Sequence, residues 1–324
     1  MDRSIRASSS SGLPSRSAPH TFPWMDSAPE FLDVSEAEHR LRLDRFLRKR
    51  RSDLGPRAID RLLHTGAVRV RGQARGRGYF VKHGDRVEIV EPPASPALPQ
   101  EPIEIFRSPH LCAASKPPGM PTNPTGAPGQ SLLSWMTGKL KQAPGIVHRI
   151  DRDTSGLVLF SLSPSGHRLL EGAFRKRTLM KEYISLVSGR PKPAQGSIDI
   201  PLRRSPSSGR VRPDPAGSAA RTDYETIHRF TGCALLRILP RTGITHQIRA
   251  HLAAIGHPIS GDPLYGDPRR AAGSPRLWLH ALAIAFPEDL ARELEAPPRI
   301  EAPPWADLAD HLLSLGFDYF ASRT

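Results

Sequence analysis

The sequence predicts an α+β protein built in two folded parts, and three observations lead there. Short apolar runs with strand patterning recur along the chain, whereas long helical patterns are few. A length of 324 residues suggests about two domains. A stiff proline-rich stretch, Pro92-Pro93-Ala94-Ser95-Pro96-Ala97-Leu98-Pro99, parts a small basic segment from a longer remainder.

Composition narrows the partners. The formal net charge is +14, and 38% of the residues are hydrophobic, enough for a real core. Such a chain points to a polyanion, with nucleic acid first and an anionic membrane surface as the alternative. No apolar run approaches the roughly 18 residues that span a bilayer. Cys112 and Cys233 belong to no CxxC pair, so neither a zinc site nor a disulfide framework is implied, and a reducing cytoplasm is the expected home. Aromatic residues are only 6%, which argues against a surface of stacked rings.

Residues 1–38 are Ser-, Pro- and Arg-rich at the start and are expected to be a disordered basic tail. A mitochondrial presequence is the lesser alternative, because Pro14, Pro19 and Pro23 would break its amphipathic helix. Residues 39–92 read as a small independent unit. Arg42–Leu47 begins one helix. Pro56 opens a second that stops at Gly66, with Ile59, Leu62 and Leu63 on one face and Arg57 and Arg61 on the other. Strands follow at Ala67–Val70 and Arg86–Val90, the second entered by the turn His83-Gly84-Asp85. The helical pair concentrates Arg45, Arg48, Lys49, Arg50, Arg51, Arg57 and Arg61 with no matching acids in view. An ordinary solvated surface holds such a set less readily than one facing a polyanion. Through RLDRFL, RLLHTGAVRVRG and HGDRVEIVEPP this unit resembles the S4 RNA-binding domain, which implies tolerant recognition of structured RNA through phosphates and shape.

Residues 93–102 are the linker, and the second domain, 103–324, opens with strand candidates at Ile105-Phe106 and Leu111–Ala114. The rigid segment 116–124 contains four prolines. Lys116 at its head is a candidate RNA contact or a solvated cation. No GxxxxGK[ST] loop is present.

The next stretch, Val147–Leu157, is a short polar loop between apolar flanks, Gly145–Val147 and Leu157–Phe160, that read as buried strand ends. Asp151 within it is either a turn residue accepting backbone N–H bonds or a nucleophile or base steadied by Arg149. Ser165–Lys176 reads as a helix with Leu169, Leu170 and Phe174 inward. Lys181–Val187 reads as a strand with Tyr183, Ser185 and Val187 on one face. Tyr183 is a core ring or a platform for a base. Residues 190–222 suggest short hairpins and loops, with Arg203, Arg204, Arg210 and Arg212 as phosphate contacts or solubilising charge. In Arg241–Pro258, Thr245 is placed as a helix N-cap, Ile248, Leu252 and Ile255 form the apolar stripe, and Gly256 ends the helix. Arg249 gains nothing from the helix dipole so near the start, so it is expected to answer a specific anion. His246 and His251 lack zinc-ligand spacing and an assisting acid, and are expected to be structural.

KPPGMPTNP (116–124), HRIDRDTSGLVLF (148–160), KEY (181–183), RTGITHQIRAHLAAIGHPISGDPLYG (241–266) and LHALAIAFP (279–287) occur in that order. The chain therefore resembles an RluA-type pseudouridine synthase with an N-terminal S4 domain. The resemblance implies a mixed, mostly antiparallel sheet with the active-site cleft across its middle. It also implies an isomerase that needs no cofactor or metal, works as a monomer, and acts on RNA, ribosomal RNA ahead of tRNA.

By position, Asp151 matches the catalytic aspartate and Arg149 the arginine that helps displace the target base. Tyr183 matches the tyrosine packed on uracil, and Arg249 the partner of the aspartate. Arg45, Lys49, Arg57, Arg61 and Lys116 are the further expected RNA contacts. Two positions depart from the family pattern: Ile150 stands for a leucine and Ile244 for an arginine, removing one cation near the RNA. A non-catalytic RNA-binding factor is the competing class. A carboxylate glycosidase would need a second acid, for which Asp153 is the only near candidate.

Overall fold

In the computed structural model the described residues are 30–55, 59, 62–63, 67–76, 78–90, 101–124, 131–205, 210–266 and 276–323. The chain divides into two compact units, Met1–Pro93 and Ala94–Thr324.

In the first unit, β1 (Glu30–Asp33), β2 (Val68–Val70), β3 (Gln73–Ala74) and β4 (Arg86–Ile89) form an antiparallel sheet in the order β1-β4-β2-β3. Helix α1 (Leu43–Arg50) buries Leu43, Phe46 and Leu47 against Ile59, Leu62, Leu63, Val68, Val70 and Val87. Gly84, at φ +79°, makes the turn into β4, where Asp85 accepts from the Lys82 amide at 2.9 Å.

Two expectations change here. Residues 30–38 are not tail: β1 pairs with β4, and Glu36–Glu38 forms a 3-10 turn. The charges of α1 are also better matched than neighbouring sequence suggests. Glu38 lies 2.8 Å from Arg50 and 3.6 Å from Lys49, and Arg51 pairs with Asp53 at 2.7 Å and with Glu30. These acids come from segments assigned to the tail or from beyond the helix, so local spacing hid them. Arg45 is exposed. Arg57, Arg61, the tail before residue 30 and linker residues 91–100 lie outside the described residues.

The second unit is a sheet with helices packed on it, as an α+β pattern requires. Its strands are β5 (Ile103–Arg107), β6 (Leu111–Lys116), β7 (Gly145–Ile146), β8 (Ser155–Ser161), β9 (Met180–Ser188), β10 (Gln195–Asp199), β11 (Leu202–Arg204), β12 (Val211–Pro213), β13 (Arg221–Arg229), β14 (Cys233–Pro240), β15 (Leu279–Ala285) and β16 (Arg299–Glu301). The helices are α2 (Leu132–Leu140), α3 (Pro164–Lys176), α4 (Gln247–Ala254), α5 (Glu288–Glu293) and α6 (Ala306–Ser314). Among the described residues the main sheet runs β10-β13-β14-β9-β15-β8-β6-β5, with β16 beside β15 and β7 beside β8, while β11 and β12 form a separate hairpin. Among the described residues every strand pairing is antiparallel except that of β15 with β8, so the sheet is mixed and mostly antiparallel. No helix among the described residues is long and apolar enough to cross a membrane.

Local chemistry accounts for the elements that frame the site. Strand β9 alternates: Ile184 and Leu186 join one cluster, and Tyr183 and Val187 face another. Helix α3 starts one residue earlier than expected, because Ser163 accepts from the Gly166 amide at 3.0 Å and Pro164 fits the first turn. Strand β8 is buried along its whole length. Its Gly156 has φ +108°, and a Cβ there would sit 2.2 Å from the Ala281 carbonyl, so glycine alone permits the close parallel approach of β15. The flank before the loop departs from expectation: β7 is only two residues long, pairs with the end of β8, and leaves Ile146 exposed.

Candidate active site

The loop from His148 to Thr154 lies between β7 and β8, and contacts made by its own side chains and by neighbouring segments hold its shape. The Leu159 amide donates to His148 Nε2 at 2.8 Å, and the imidazole stacks on Phe174 at 4.6 Å. Burial, aided by the charge of Lys181, pushes the His148 pKa down to about 3, so the ring is a neutral strut. Thr122 Oγ1 donates to the Ile150 carbonyl at 3.0 Å, and Arg152 Nε donates to the Gly119 carbonyl at 2.8 Å. The Thr154 amide closes the turn on the Asp151 carbonyl at 3.2 Å.

Lys116 ties the rigid 116–124 segment to this loop. Its side chain is fully buried, and Nζ donates to the carbonyls of Pro117 (2.9 Å), Met120 (2.7 Å) and Arg152 (2.9 Å). Burial pushes its pKa down to about 7, opposed by the charges of Asp153 and Asp151. This corrects the expectation of an RNA contact or a solvated cation: the ammonium points inward, where three carbonyls accept from it. Lys116→Met should therefore lower stability by about 2–3 kcal/mol, since several buried acceptors lose their donor at once. Denaturant unfolding checks the value, and a loss below about 0.5 kcal/mol would show that the clamp is dispensable.

Asp151 itself reaches a cleft of about 370 Å³, a size suited to a small organic group such as a nucleoside. Arg149, Tyr183, Thr242, Ile244, His246 and Arg249 share its walls. Arg249 Nη1 lies 3.3 Å from Asp151 Oδ2. The guanidinium is nearly fully buried and makes a two-pronged pair with Asp262, Nε to Oδ2 and Nη2 to Oδ1, both at 2.8 Å. Burial alone would lower the arginine's pKa, but the Asp262 bonds and the charges of Asp262 and Asp151 outweigh it and raise it. Asp262 is fully buried and also accepts from the amides of Leu264 (2.8 Å) and Tyr265 (3.1 Å). The chain thus fixes a cation behind Asp151 with a second carboxylate. The place of Arg249 early in the helix pointed to an anion, but no local spacing pointed to Asp262.

The loop before α4 is equally braced. Gln247 accepts from Thr242 Oγ1 at 2.6 Å and from the Ile244 amide at 3.1 Å, and donates to the Arg221 carbonyl at 2.9 Å and to Thr222 Oγ1 at 3.0 Å. Thr245 is not the cap. His246 precedes the helix in a left-handed conformation, φ +56°, which turns the chain and places the helix start one residue later. His251 is structural: it is buried between Thr222 Oγ1 and the Ile200 carbonyl, both at 2.9 Å. His246 is not: its Nε2 lies 3.7 Å from Asp151 Oδ2. Adjacency in sequence to Gln247 and Arg249 was the only signal that could have moved it to the site.

Tyr183 is half-buried on the cleft wall, opposite Ile238 and Ala281 on the neighbouring strands. Burial, and then the Asp151 charge, raise its pKa, so it stays a neutral phenol. Arg149 is exposed on the same cleft. Ile244 packs against Leu202, Val211, Ala220 and Ala250, which explains an apolar residue there but supplies no cation. Asp151, Tyr183, Arg149 and Arg249 therefore share one cleft. Arg45 and Lys49 belong to the first unit, and Arg57 and Arg61 lie outside the described residues.

Known proteins similar to this chain share one family description. The family model described as RNA pseudouridylate synthase matches residues 110–254. The ribosomal large subunit pseudouridine synthase C of Vibrio parahaemolyticus is 32% identical over 293 residues, covering 83% of this chain and 92% of that protein. An RNA pseudouridine synthase of Chloroflexus aurantiacus is 35% identical over 278 residues, covering 79% of this chain and 88% of that protein. The structure of human RNA Pseudouridylate Synthase Domain Containing 4 superposes with a TM-score of 0.55 at 22% identity, over 66% of this chain and 93% of the human one, which supports the fold.

Proposed function

The chain belongs to the RNA pseudouridylate synthase family, and from that premise we propose that it isomerises specific uridines of large-subunit ribosomal RNA, with Asp151 as the catalytic carboxylate. The observation that carries this reading is the pairing of Asp151 with Arg249 in the cleft. The names of similar proteins that act on the large ribosomal subunit support the choice of RNA.

The reaction breaks the bond between uracil N1 and ribose C1′, turns the base, and joins C5 to C1′. A proton leaves C5 and N1 gains one, so atoms balance without an external reagent. A carboxylate beside C1′ can bond to the sugar or offset the positive charge that grows on it. Either route needs an ionised acid, and the Arg249 guanidinium lies 3.3 Å from Asp151 Oδ2. A stacked uridine is out of reach and must be flipped out, at a cost of a few kcal/mol. Arg149 has the planar guanidinium and the exposure to occupy the vacated space. The neutral ring of Tyr183 offers the detached uracil a flat surface while it turns.

The first unit, in this reading, is an S4-like RNA-binding domain that takes in β1 from Glu30 as well as residues 39–92, joined through the linker 93–102 to the catalytic domain 103–324. Arg45, Lys49, Arg57 and Arg61 are its phosphate contacts. The enzyme is taken as a cytoplasmic monomer. Tritium release from C5-labelled uridine tests both the reaction and its substrate. Large-subunit RNA should release label at least about tenfold faster than tRNA transcripts, a difference of about 1.4 kcal/mol in barrier. A preference for tRNA would replace the proposed substrate, and no release from either RNA would overturn the reading.

A further inference from the structure

His246 was expected to be structural, yet its ring occupies the cleft. The left-handed backbone at φ +56° takes it off the helical path of α4. Its Nδ1 lies 3.1 Å from the hydroxyl of Tyr265, whose ring stands edge-on to the imidazole at 86°. That hydroxyl is also 2.8 Å from the amide of Val211, on β12.

The partners of the Tyr265 hydroxyl favour one tautomer of His246. A backbone N–H only donates, so the Tyr265 oxygen accepts from Val211. Its own single proton then has His246 Nδ1 as its acceptor. The reverse assignment would turn the hydroxyl proton away from both of these neighbours. With Nδ1 accepting, a neutral imidazole carries its proton on Nε2. Burial lowers the His246 pKa, although the Asp151 charge acts the other way, so the neutral ring is the relevant form. Its Nε2–H faces Asp151 Oδ2 at 3.7 Å, and Arg249 Nη1 reaches that same oxygen at 3.3 Å.

We propose that His246 is a positioning residue for Asp151, set as an Nε2–H donor by Tyr265 and Val211, so that two donors hold Oδ2 and Oδ1 is the oxygen presented to the ribose. The 3.7 Å separation is longer than a hydrogen bond and must shorten in the substrate complex, where catalytic hydrogen bonds commonly tighten. Through Val211, the carboxylate is joined to the hairpin that carries Arg204, Arg210 and Arg212.

The inference rests on Asp151 being the catalytic carboxylate, and its test separates the two claims. Asparagine tolerates a left-handed backbone but reaches only the Nδ1 position, whereas the amide nitrogen of glutamine reaches that of Nε2. Single-turnover rates and RNA affinities are measured for wild type, His246→Asn, His246→Gln and Asp151→Asn. His246→Asn should be slower by roughly tenfold to a hundredfold at nearly unchanged RNA affinity, because a misplaced reacting group costs rate rather than binding. His246→Gln should recover most of that loss. A wild-type rate for His246→Asn, a His246→Gln no faster than His246→Asn, or a loss seen only in RNA affinity would each overturn the inference. With Asp151→Asn inert, any of these outcomes removes the role of His246 alone. An active Asp151→Asn removes the reading beneath it.

Discussion

Asp151→Asn should bind RNA as the wild type does and turn over at least about a thousandfold more slowly. Asparagine keeps the shape of the side chain and an oxygen that can face Arg249 Nη1, now 3.3 Å from Asp151 Oδ2. It removes the negative charge, and with it the means of bonding to C1′ or stabilising positive charge there. The contrast between binding and rate is the informative part. A change confined to affinity would mean that Asp151 contacts the RNA without taking part in the reaction. Filter binding and single-turnover tritium release, run on the same protein, separate the two.

Asp262→Ala should destabilise the larger unit by about 3–5 kcal/mol, the usual cost of removing one partner of a buried ion pair. Asp262 is fully buried and Arg249 nearly so. Without the carboxylate, the guanidinium loses two bonds of 2.8 Å and keeps the 3.3 Å contact with Asp151 and its place over the Tyr265 ring, while the amides of Leu264 and Tyr265 lose their acceptor. Trp135, Trp278 and Trp305 lie in this unit, so tryptophan fluorescence during denaturant unfolding follows it. Activity should fall too, because a freed Arg249 no longer steadies Asp151. A destabilisation below about 1 kcal/mol would show that the pair is not what holds the cation in place.

The two large effects differ in how far the sequence revealed them. Asp151 stood out because a polar loop between apolar runs is a local pattern, and the strand of Tyr183 and the helix after Ser163 were legible for the same reason. Asp262 was not, since a buried ion pair is written in contacts rather than in spacing. Arg249 meets Asp262 across 13 positions and Asp151 across 98. Lys116 failed in the opposite direction: a lysine beside prolines looks solvated, and only the return of the chain at Arg152, 36 residues on, supplies the third carbonyl that keeps it inside. His246 combines both difficulties, because its tautomer depends on Tyr265, 19 residues away, and on Val211 beyond that. The acids that offset α1 were hidden by their distance in sequence, Glu38 lying 12 positions from Arg50.

The most direct test of the central claim is nucleoside analysis of large-subunit ribosomal RNA after incubation with the wild type and with Asp151→Asn. Isomerisation leaves the mass unchanged, so the product appears as a uridine isomer with altered chromatographic retention. Pseudouridine should accumulate with the wild type and stay at background with Asp151→Asn. Equal pseudouridine with both proteins, or none with a wild type that still binds the RNA, would contradict it.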